Sequence, residues 1–236
     1  MSKLTKISVL LAVFFGLDKI VALVRQVIIA RQFGFSAELD AFNVANNLPD
    51  LLYAMISGGA LAIALIPVLS EVMSKDGRKA LWDLFSRVAN IAFVATAILS
   101  VLIAIFAPNL VGWRLGIAPG FGPEQRLTVV NLMRLNLFAT LICSISGLVM
   151  AGLQANQHFL FPAMSPILYN VGQIIGAIFF APIWGVYGLV YGVILGALLQ
   201  LFIQTPALIK YQFSCIPSFG GHDNYVQKVL KLMGPR

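Results

Sequence analysis

The residues of this sequence that could do chemistry are charged and amide side chains inside strongly hydrophobic stretches. The first stretch, about residues 7–30, contains Asp18, Lys19 and Arg25. A charge near the centre of a lipid bilayer costs about 2.5–3.5 kcal/mol on insertion scales. Side chains with that cost usually face a water-filled cavity. These three residues therefore predict a cavity that meets an ion or a polar substrate, as in a transport protein.

Helical geometry relates these charges to one another. Asp18 and Arg25 are seven residues apart, so they project within about 20° of each other, two turns apart. Ala22 lies between them on that face and leaves room for water or ligand. Lys19 points about 100° away from Asp18, toward the cavity edge or a neighbouring helix. Two explanations other than a functional cavity are open. One is an internal ion pair that supports packing. The other is snorkelling of the long basic side chains, which suits Arg31 better than Lys19 or Arg25.

A second hydrophobic stretch, about residues 39–69, carries a polar stripe in its first half. Its 3-4-3 spacing places four side chains on one helical face: Asp40, Asn43, Asn47 and Asp50. Such a stripe is costly against lipid and must face protein or water. Interhelical hydrogen bonds are one explanation for the asparagines. The two added carboxylates favour a hydrated cavity.

The composition predicts the elements that position these residues. The chain has 236 residues, of which 59% are hydrophobic and 11% are charged, too apolar for a soluble domain of this size. Six windows are long enough to cross a membrane as helices. They cover about residues 7–30, 39–69, 85–107, 128–153, 160–181 and 185–208. The expected fold class is all-α, a polytopic membrane helix bundle of about six transmembrane helices.

The basic residues predict the orientation of this bundle. An even number of spans places both termini on one side, together with nine basic residues: Lys3, Lys6, Lys75, Arg78, Lys79, Lys210, Lys228, Lys231 and Arg236. The opposite loops hold three: Arg31, Arg114 and Arg126. Lys and Arg accumulate in cytoplasmic loops, so both termini are expected in the cytoplasm. The net charge of +7 is explained by topology, and no nucleic-acid partner is expected.

The chain is expected to divide near residue 210. Residues 1–210 form the bundle, and 211–236 form a cytoplasmic linker that leads to a second lobe absent from this sequence. Within the linker, residues 223–233 predict a short amphipathic helix on the membrane surface. Inside the bundle, glycines at four-residue spacing predict close helix packing: Gly172 and Gly176, then Gly188, Gly192 and Gly196. Arg134, near the outer edge, fits snorkelling and a cavity role equally well.

No pattern of catalytic or metal-binding residues is present. His158 and His222 stand alone, and Cys143 and Cys215 have no metal-site spacing. Two carboxylates of the stripe, ten residues apart, lie about 15 Å apart along a helix, too far for a catalytic pair. The sequence predicts neither an enzyme nor a cofactor or metal, and whether an ion drives transport stays open.

Several segments together resemble the MurJ (MviN) family of lipid II flippases, within the multidrug/oligosaccharidyl-lipid/polysaccharide exporter superfamily. The resemblance extends through nearly the whole chain. The segments that carry it are 24–34, Asp40–Ala45, Leu48–Leu52, Gly59 and Ala60, Ile66–Val68, Ala118–Phe121, Pro162, Ser165 and Pro166 with Asn170, and Lys231–Pro235.

The resemblance implies two helix bundles around a V-shaped cavity, with this chain supplying the first. It implies transport of the undecaprenyl-pyrophosphate-linked peptidoglycan precursor across the bacterial inner membrane, with membrane lipids and the C-terminal half as partners. By this resemblance, Arg25 lies where a cavity cation of the family meets the pyrophosphate. Lys19 lies at a position where the family often has Arg. Asp40 lies at an acidic position near the outer gate. The family pattern differs at Tyr53 and Gly58, where it has a basic and an acidic residue.

Two other functions remain open at this point. One is an exporter of the same superfamily that carries another polyprenyl-linked saccharide or a drug. The other is a non-transporting membrane scaffold or an inert fragment. These two functions and the lipid II flippase share the predicted fold, so only the residues of the site can distinguish the three functions.

Overall fold

The computed structural model describes residues 3–55, 60–112, 117–118, 120–214 and 224–233. Over these ranges the chain contains helices and no strand, which confirms the all-α fold class. Within the described residues ten α-helices follow one another: α1 (Lys3–Phe33), α2 (Ala37–Tyr53), α3 (Ala60–Lys75), α4 (Gly77–Gly112), α5 (Pro123–Ala155), α6 (Leu160–Ile175), α7 (Ala181–Trp184), α8 (Val186–Phe202), α9 (Thr205–Lys210) and α10 (Asn224–Met233). A π-helical turn, Gly176–Phe180, joins α6 to α7.

Five helical stretches of the described chain are long and apolar enough to cross a membrane. They are Ile7–Phe33, Gly77–Gly112, Pro123–Ala155, Leu160–Trp184 and Val186–Lys210. They coincide with five of the six predicted windows and make this a multi-pass membrane protein. The sixth window, 39–69, corresponds to α2 and α3, which have 17 and 16 residues. Neither reaches the roughly 20 residues of a typical span, and residues 56–59 between them lie outside the described ranges.

Two hydrophobic clusters hold the helices together, one toward each end of the bundle. The first joins α2, α5 and α8 through residues such as Ala41, Ala45, Val129, Met133 and Val190. The second joins α3, α4, α5 and α10 through residues such as Leu65, Leu69, Trp82, Phe85 and Leu153. Polar side chains of α1, α2, α5 and α6 lie between these clusters, so the fold concentrates its polar groups near the middle of the spans.

The predicted glycine packing is confirmed between α6 and α8. A side chain on Gly172 would overlap the backbone of Gly196, and one on Gly176 would overlap the backbone of Gly192. Gly188 has the same relationship to Phe180. Because glycine has no Cβ, the two backbones approach directly. This approach fixes α6, which carries two of the site residues described below.

Arg134 has a structural role. Its Nε–H donates a hydrogen bond of 3.0 Å to the carbonyl oxygen of Ala104 on α4. Four residues later α4 contains Pro108, which has no N–H to give to that carbonyl. Arg134 supplies the missing donor where water is scarce, as a broken backbone hydrogen bond in a membrane requires. Snorkelling and cavity binding are not needed to explain this residue.

Helix α10 packs on α3 instead of presenting its apolar face to lipid. Val226 and Val229 are 1% and 0% exposed. Lys228 donates to Glu71 at 2.5 Å, and Lys75 contacts the same carboxylate at 2.8 Å. The hydrogen bond from Lys228, followed by that from Lys75, lowers the pKa of Glu71 to about 2. The expected amphipathic helix is therefore present, but its apolar face contacts protein.

Candidate functional site

Two amide side chains of α6 hold Arg25 of α1. Nη1 of Arg25 donates to Oδ1 of Asn170 at 2.9 Å and to Oε1 of Gln173 at 3.3 Å. These amides are three residues apart and share one face of α6. They are only 6% and 7% exposed. The Nε–H of Arg25 is buried and has no partner among the described residues.

The same Asn170 side chain connects Arg25 to Asp18. Its Nδ2 donates to Oδ1 of Asp18 at 2.8 Å and to the carbonyl oxygen of Pro166 at 3.2 Å. A carboxylate on one side and a guanidinium on the other fix the orientation of the amide. Asp18 and Arg25 therefore share a face of α1, as their spacing predicts, but within the described ranges they form no direct ion pair. The alternative of an internal Asp18–Arg25 pair is replaced by a bridge through α6.

Lys19 completes the network from the opposite side of Asp18. Its Nζ lies 3.2 Å from Oδ2 of Asp18 and 4.9 Å from the ring centre of Phe15. The Cβ directions of Asp18 and Lys19 differ by about 100°, yet the flexible four-carbon chain brings the ammonium back. The Lys19 side chain is 63% exposed. Its side chain lines the first cavity, one of the two positions that the helical spacing allowed, and its contact with Asp18 is an addition.

These residues line two adjoining cavities. The first cavity has a volume of about 330 Å³ and is lined by Asp18, Lys19, Arg25, Asp50, Asn136 and Asn170, among others. The second cavity has a volume of about 420 Å³ and is lined by Gln26, Arg25, Asn43, Asn46, Asn47, Asp50 and Gln173, among others. Arg25 and Asp50 line both, so the guanidinium lies where the two cavities meet and interacts electrostatically with that carboxylate.

Three members of the predicted stripe on α2 line these cavities. Asn43 and Asn47 face the second cavity, and Asp50 faces both. Asp40 lines neither: it is exposed in the first turn of α2, where its charge complements the helix dipole. The structure thus brings six of the seven predicted site residues together, while their binding of a substrate stays a prediction.

Reasoning from residue types and spacing did not single out the two α6 amides that hold Arg25. Asn170 entered only through the family resemblance, and Gln173 was not predicted at all. Asn136 of α5 donates to Asn46 of α2 at 2.5 Å and joins the stripe to a third helix. The available signal was two amides three residues apart in an otherwise apolar span, which indicates one polar face.

Cys143 is buried, as expected for a small apolar side chain, and lines the first cavity. The other cysteine, Cys215, lies outside the described residues. Within the described ranges no group of three His, Cys, Asp or Glu side chains could hold a metal ion.

An apolar groove between α1 and α6 adjoins the first cavity. It has a volume of about 380 Å³ and is lined by Leu11, Ala12, Phe15 and Ala163, together with Asp18 and Pro166. Those last two residues also line the first cavity. An apolar groove therefore borders a polar cavity that contains basic residues.

Comparison with known proteins agrees with this arrangement. The profile of the family described as "Lipid II flippase MurJ" matches residues 29–236. The chain belongs to this family. The probable lipid II flippase MurJ of Buchnera aphidicola subsp. Acyrthosiphon pisum is 31% identical over 223 residues, which cover 93% of this chain and 43% of the relative. The lipid II flippase MurJ of Burkholderia cenocepacia is 32% identical over 198 residues, covering 82% and 38%. The chain spans less than half the length of these relatives.

Solved structures share the family fold. A lipid II flippase MurJ in an inward closed conformation superposes with a TM-score of 0.74 at 23% identity, covering 95% of this chain and 47% of that one. A MOP superfamily transporter from Pyrococcus furiosus gives a TM-score of 0.70 at 16% identity, covering 97% and 51%. Both likenesses concern the fold alone.

Proposed function

We propose that this chain forms the first half of a lipid II flippase, which moves the undecaprenyl-pyrophosphate-linked peptidoglycan precursor from the inner to the outer leaflet by alternating access. The observation that carries the proposal is the position of Arg25. Two buried amides fix its guanidinium through Nη1, where two cavities meet. A pyrophosphate is the chemical group that such a fixed guanidinium in a cavity lining binds best.

The two basic residues have different tasks in this proposal. Arg25 presents a planar fork whose orientation the α6 amides hold, so it binds two phosphate oxygens at once. Lys19 carries a point charge on a flexible, exposed chain and attracts the anion at the edge of the first cavity. Asp18 keeps both cations in place and, being paired on both sides, repels an entering phosphate only weakly.

The apolar groove supports a lipid-linked substrate over a soluble one. Its position beside the first cavity lets a hydrocarbon chain stay in the membrane while the charged group enters. An exporter of another polyprenyl-linked saccharide fits the same site and is the second candidate.

The proposed setting is the bacterial inner membrane, with both termini in the cytoplasm. The partners are the lipid-linked precursor, membrane lipids and a second helix bundle of the same protein. The proposed activity is translocation without chemical conversion and without a cofactor. Any coupling ion would act together with that second bundle.

The direct test is depletion of the protein, expressed from its complete gene, followed by measurement of the precursor in each leaflet. We expect the precursor to accumulate in the inner leaflet, and re-expression to restore its movement within minutes. Unchanged movement after depletion would overturn the proposal. Accumulation of a different polyprenyl-linked saccharide would establish the second candidate instead.

A further inference from the structure

The chain that follows α9 is fixed to one face of α4. The indole N–H of Trp82 donates to the carbonyl oxygen of Tyr211 at 2.9 Å. Ser86 shares its hydroxyl hydrogen between the carbonyl oxygens of Ser214, at 3.1 Å, and Trp82, at 2.8 Å. Trp82 and Ser86 are four residues apart and therefore lie on the same face of α4. Backbone carbonyls beyond a helix end need such partners, so this segment is held in place.

An aromatic side chain strengthens the attachment to α4. The ring of Phe213 lies edge-to-face against Trp82, with ring centres 5.1 Å apart, and against Phe85, with ring centres 5.8 Å apart. Trp82 and Phe85 are 1% and 2% exposed and belong to the second hydrophobic cluster. Edge-to-face pairs add stability beyond the burial of apolar area. Moving Phe213 away from α4 would therefore open that cluster.

Helix α10 is attached to α3 by two kinds of contact. Val226 and Val229 are buried and belong to the same hydrophobic cluster. Lys228, which lies between them in sequence, donates to Glu71 of α3 at 2.5 Å. Opening this contact would expose apolar side chains and break an ion pair at the same time, so α10 is held firmly on α3.

Helices α3 and α4, to which these two attachments are made, form one hairpin. Helix α3 ends at Lys75 and α4 begins at Gly77, whose φ of +84° is a left-handed conformation that glycine adopts without strain. Leu69 of α3 and Trp82 of α4 both belong to the second cluster. The segment after α9 and helix α10 are thus attached to a single, internally packed support.

Polar contacts fix the position of α10 along this hairpin. Glu71 accepts from Lys228 of α10 and from Lys75 of α3. The hydroxyl group of Tyr225 donates to Asp76, in the turn between α3 and α4, at 3.3 Å. Charge-assisted hydrogen bonds are directional and so determine how α10 is rotated and placed on α3. The direction in which the chain leaves α10 is determined by the same contacts.

We propose that α10 is a rigid coupling element, which stays packed on α3 throughout the transport cycle. The inference rests on the proposed function, because that function supplies the second helix bundle to which this end of the chain leads. A flexible tether would let the two bundles tilt independently of each other. A packed α10 instead makes the start of the second bundle move together with the α3–α4 hairpin. The contact between α10 and α3 then transmits the rocking motion between the bundles.

The first test breaks the contact and restores it. In the protein from its complete gene, Glu71→Lys places like charges beside Lys228 and Lys75, and we expect transport of a fluorescent precursor analogue in liposomes to fall about tenfold or more. Adding Lys228→Glu returns one carboxylate between two ammonium groups and should restore transport. Lys231→Glu, on the exposed face of α10, is the control and should change transport by less than about twofold. Binding of the analogue should be unchanged in all variants, since these residues lie outside both cavities.

The second test distinguishes a permanent attachment from one that opens in each cycle. Tyr225→Cys with Asp76→Cys leaves the bond between Glu71 and Lys228 in place, and a short bifunctional maleimide then joins α10 to the turn after α3. Cys215→Ser in the same protein removes a competing thiol. We expect the cross-linked protein to transport at a rate within about twofold of the same protein before cross-linking, because a contact that never opens is not hindered by a covalent bond.

The outcomes separate the coupling role from the proposed function. Loss of transport on cross-linking would show that α10 must leave α3, and would overturn the proposal. Normal transport by Glu71→Lys, or failure of the charge exchange to restore it, would also overturn the proposal. Absence of transport by the unaltered protein would instead contradict the proposed function itself.

Discussion

Asn170 of α6 accepts a hydrogen bond of 2.9 Å from Arg25 of α1, across 145 positions of sequence. The same amide donates to Asp18, so one neutral side chain bridges two opposite charges that the sequence places on a single helix. The consequence is mechanical as well as electrostatic. The guanidinium is fixed relative to α6, and any movement of α1 must break this bridge or carry α6 with it.

Replacing Arg25 should separate binding from folding. Arg25→Ala, in the protein from the complete gene, should abolish transport while membrane abundance stays near normal, since Asp18 keeps Lys19 and Asn170 as partners. Arg25→Lys should retain a small part of the activity, because an ammonium cannot bind two oxygens as a planar fork. Transport of a fluorescent precursor analogue and quantitative immunoblotting provide the measurements. Restored transport in Asp18→Asn combined with Arg25→Ala would show that Arg25 only neutralises Asp18.

Asn170 should act as a positioning residue. Asn170→Leu keeps the volume but removes the bonds to Arg25 and Asp18, so we expect a loss of about 1–2 kcal/mol in stability and a clear reduction in transport. Thermal unfolding in detergent and the transport assay measure the two effects. Asn109→Leu, on the exposed surface of α4, is the matched control. Equal behaviour of the two variants would contradict the bridge.

The apolar groove can be blocked without replacing any residue of the polar network. Ala12→Trp fills the groove, whereas Val13→Trp places the same ring on the neighbouring, 61% exposed position outside it. We expect Ala12→Trp to reduce transport of the lipid-linked precursor by about tenfold or more, and Val13→Trp to leave it near normal. If both tryptophans have the same effect, the groove has no role in holding the lipid chain.

The contact between α10 and α3 should depend on pH. The pKa of Glu71 is lowered from 4.5 to about 2, so its stabilising bonds to Lys228 and Lys75 are fully present above about pH 4.5 and are lost as the pH falls toward 2. A spin label on Val229→Cys should be immobile at pH 7 and become mobile over this range.

Two variants check that assignment. A label on Leu232→Cys, which is 47% exposed, should be mobile throughout. Glu71→Gln removes the titrating carboxylate and should abolish the pH dependence of the Val229→Cys label. Persistence of the transition in that variant would assign it to another group, such as Asp76, which accepts from Tyr225 at 3.3 Å.

The orientation follows from the distribution of Lys and Arg. Reporter fusions at Lys79 and after Lys210 should report the cytoplasm, and one near Gly122 should report the exterior. Lys79 and Lys210 belong to the same end of the bundle, since Trp82 donates to the carbonyl oxygen of Tyr211 at 2.9 Å. A cytoplasmic signal near Gly122 would contradict the proposed topology.

The sequence by itself determined the fold class, the positions of the spans and the polar faces of α1 and α2. Hydrophobic length and helical periodicity are local properties, so they can be read from residues close together in the chain. The family also followed from local segments. On these grounds Asp18, Arg25, Asn43, Asn47 and Asp50 were predicted to face a cavity, and they line the two found here.

Only the tertiary structure decided which groups meet across helices. The bonds of Arg25 to Asn170 and Gln173, of Asn136 to Asn46, and of Arg134 to Ala104 join distant segments. The Arg25 and Asn136 contacts depend on how closely and at what rotation α1 packs on α6 and α5 packs on α2. The rotation of one packed helix against another produces no periodic pattern in the sequence. The contacts of flexible side chains such as Lys19 are determined only once the helices have packed.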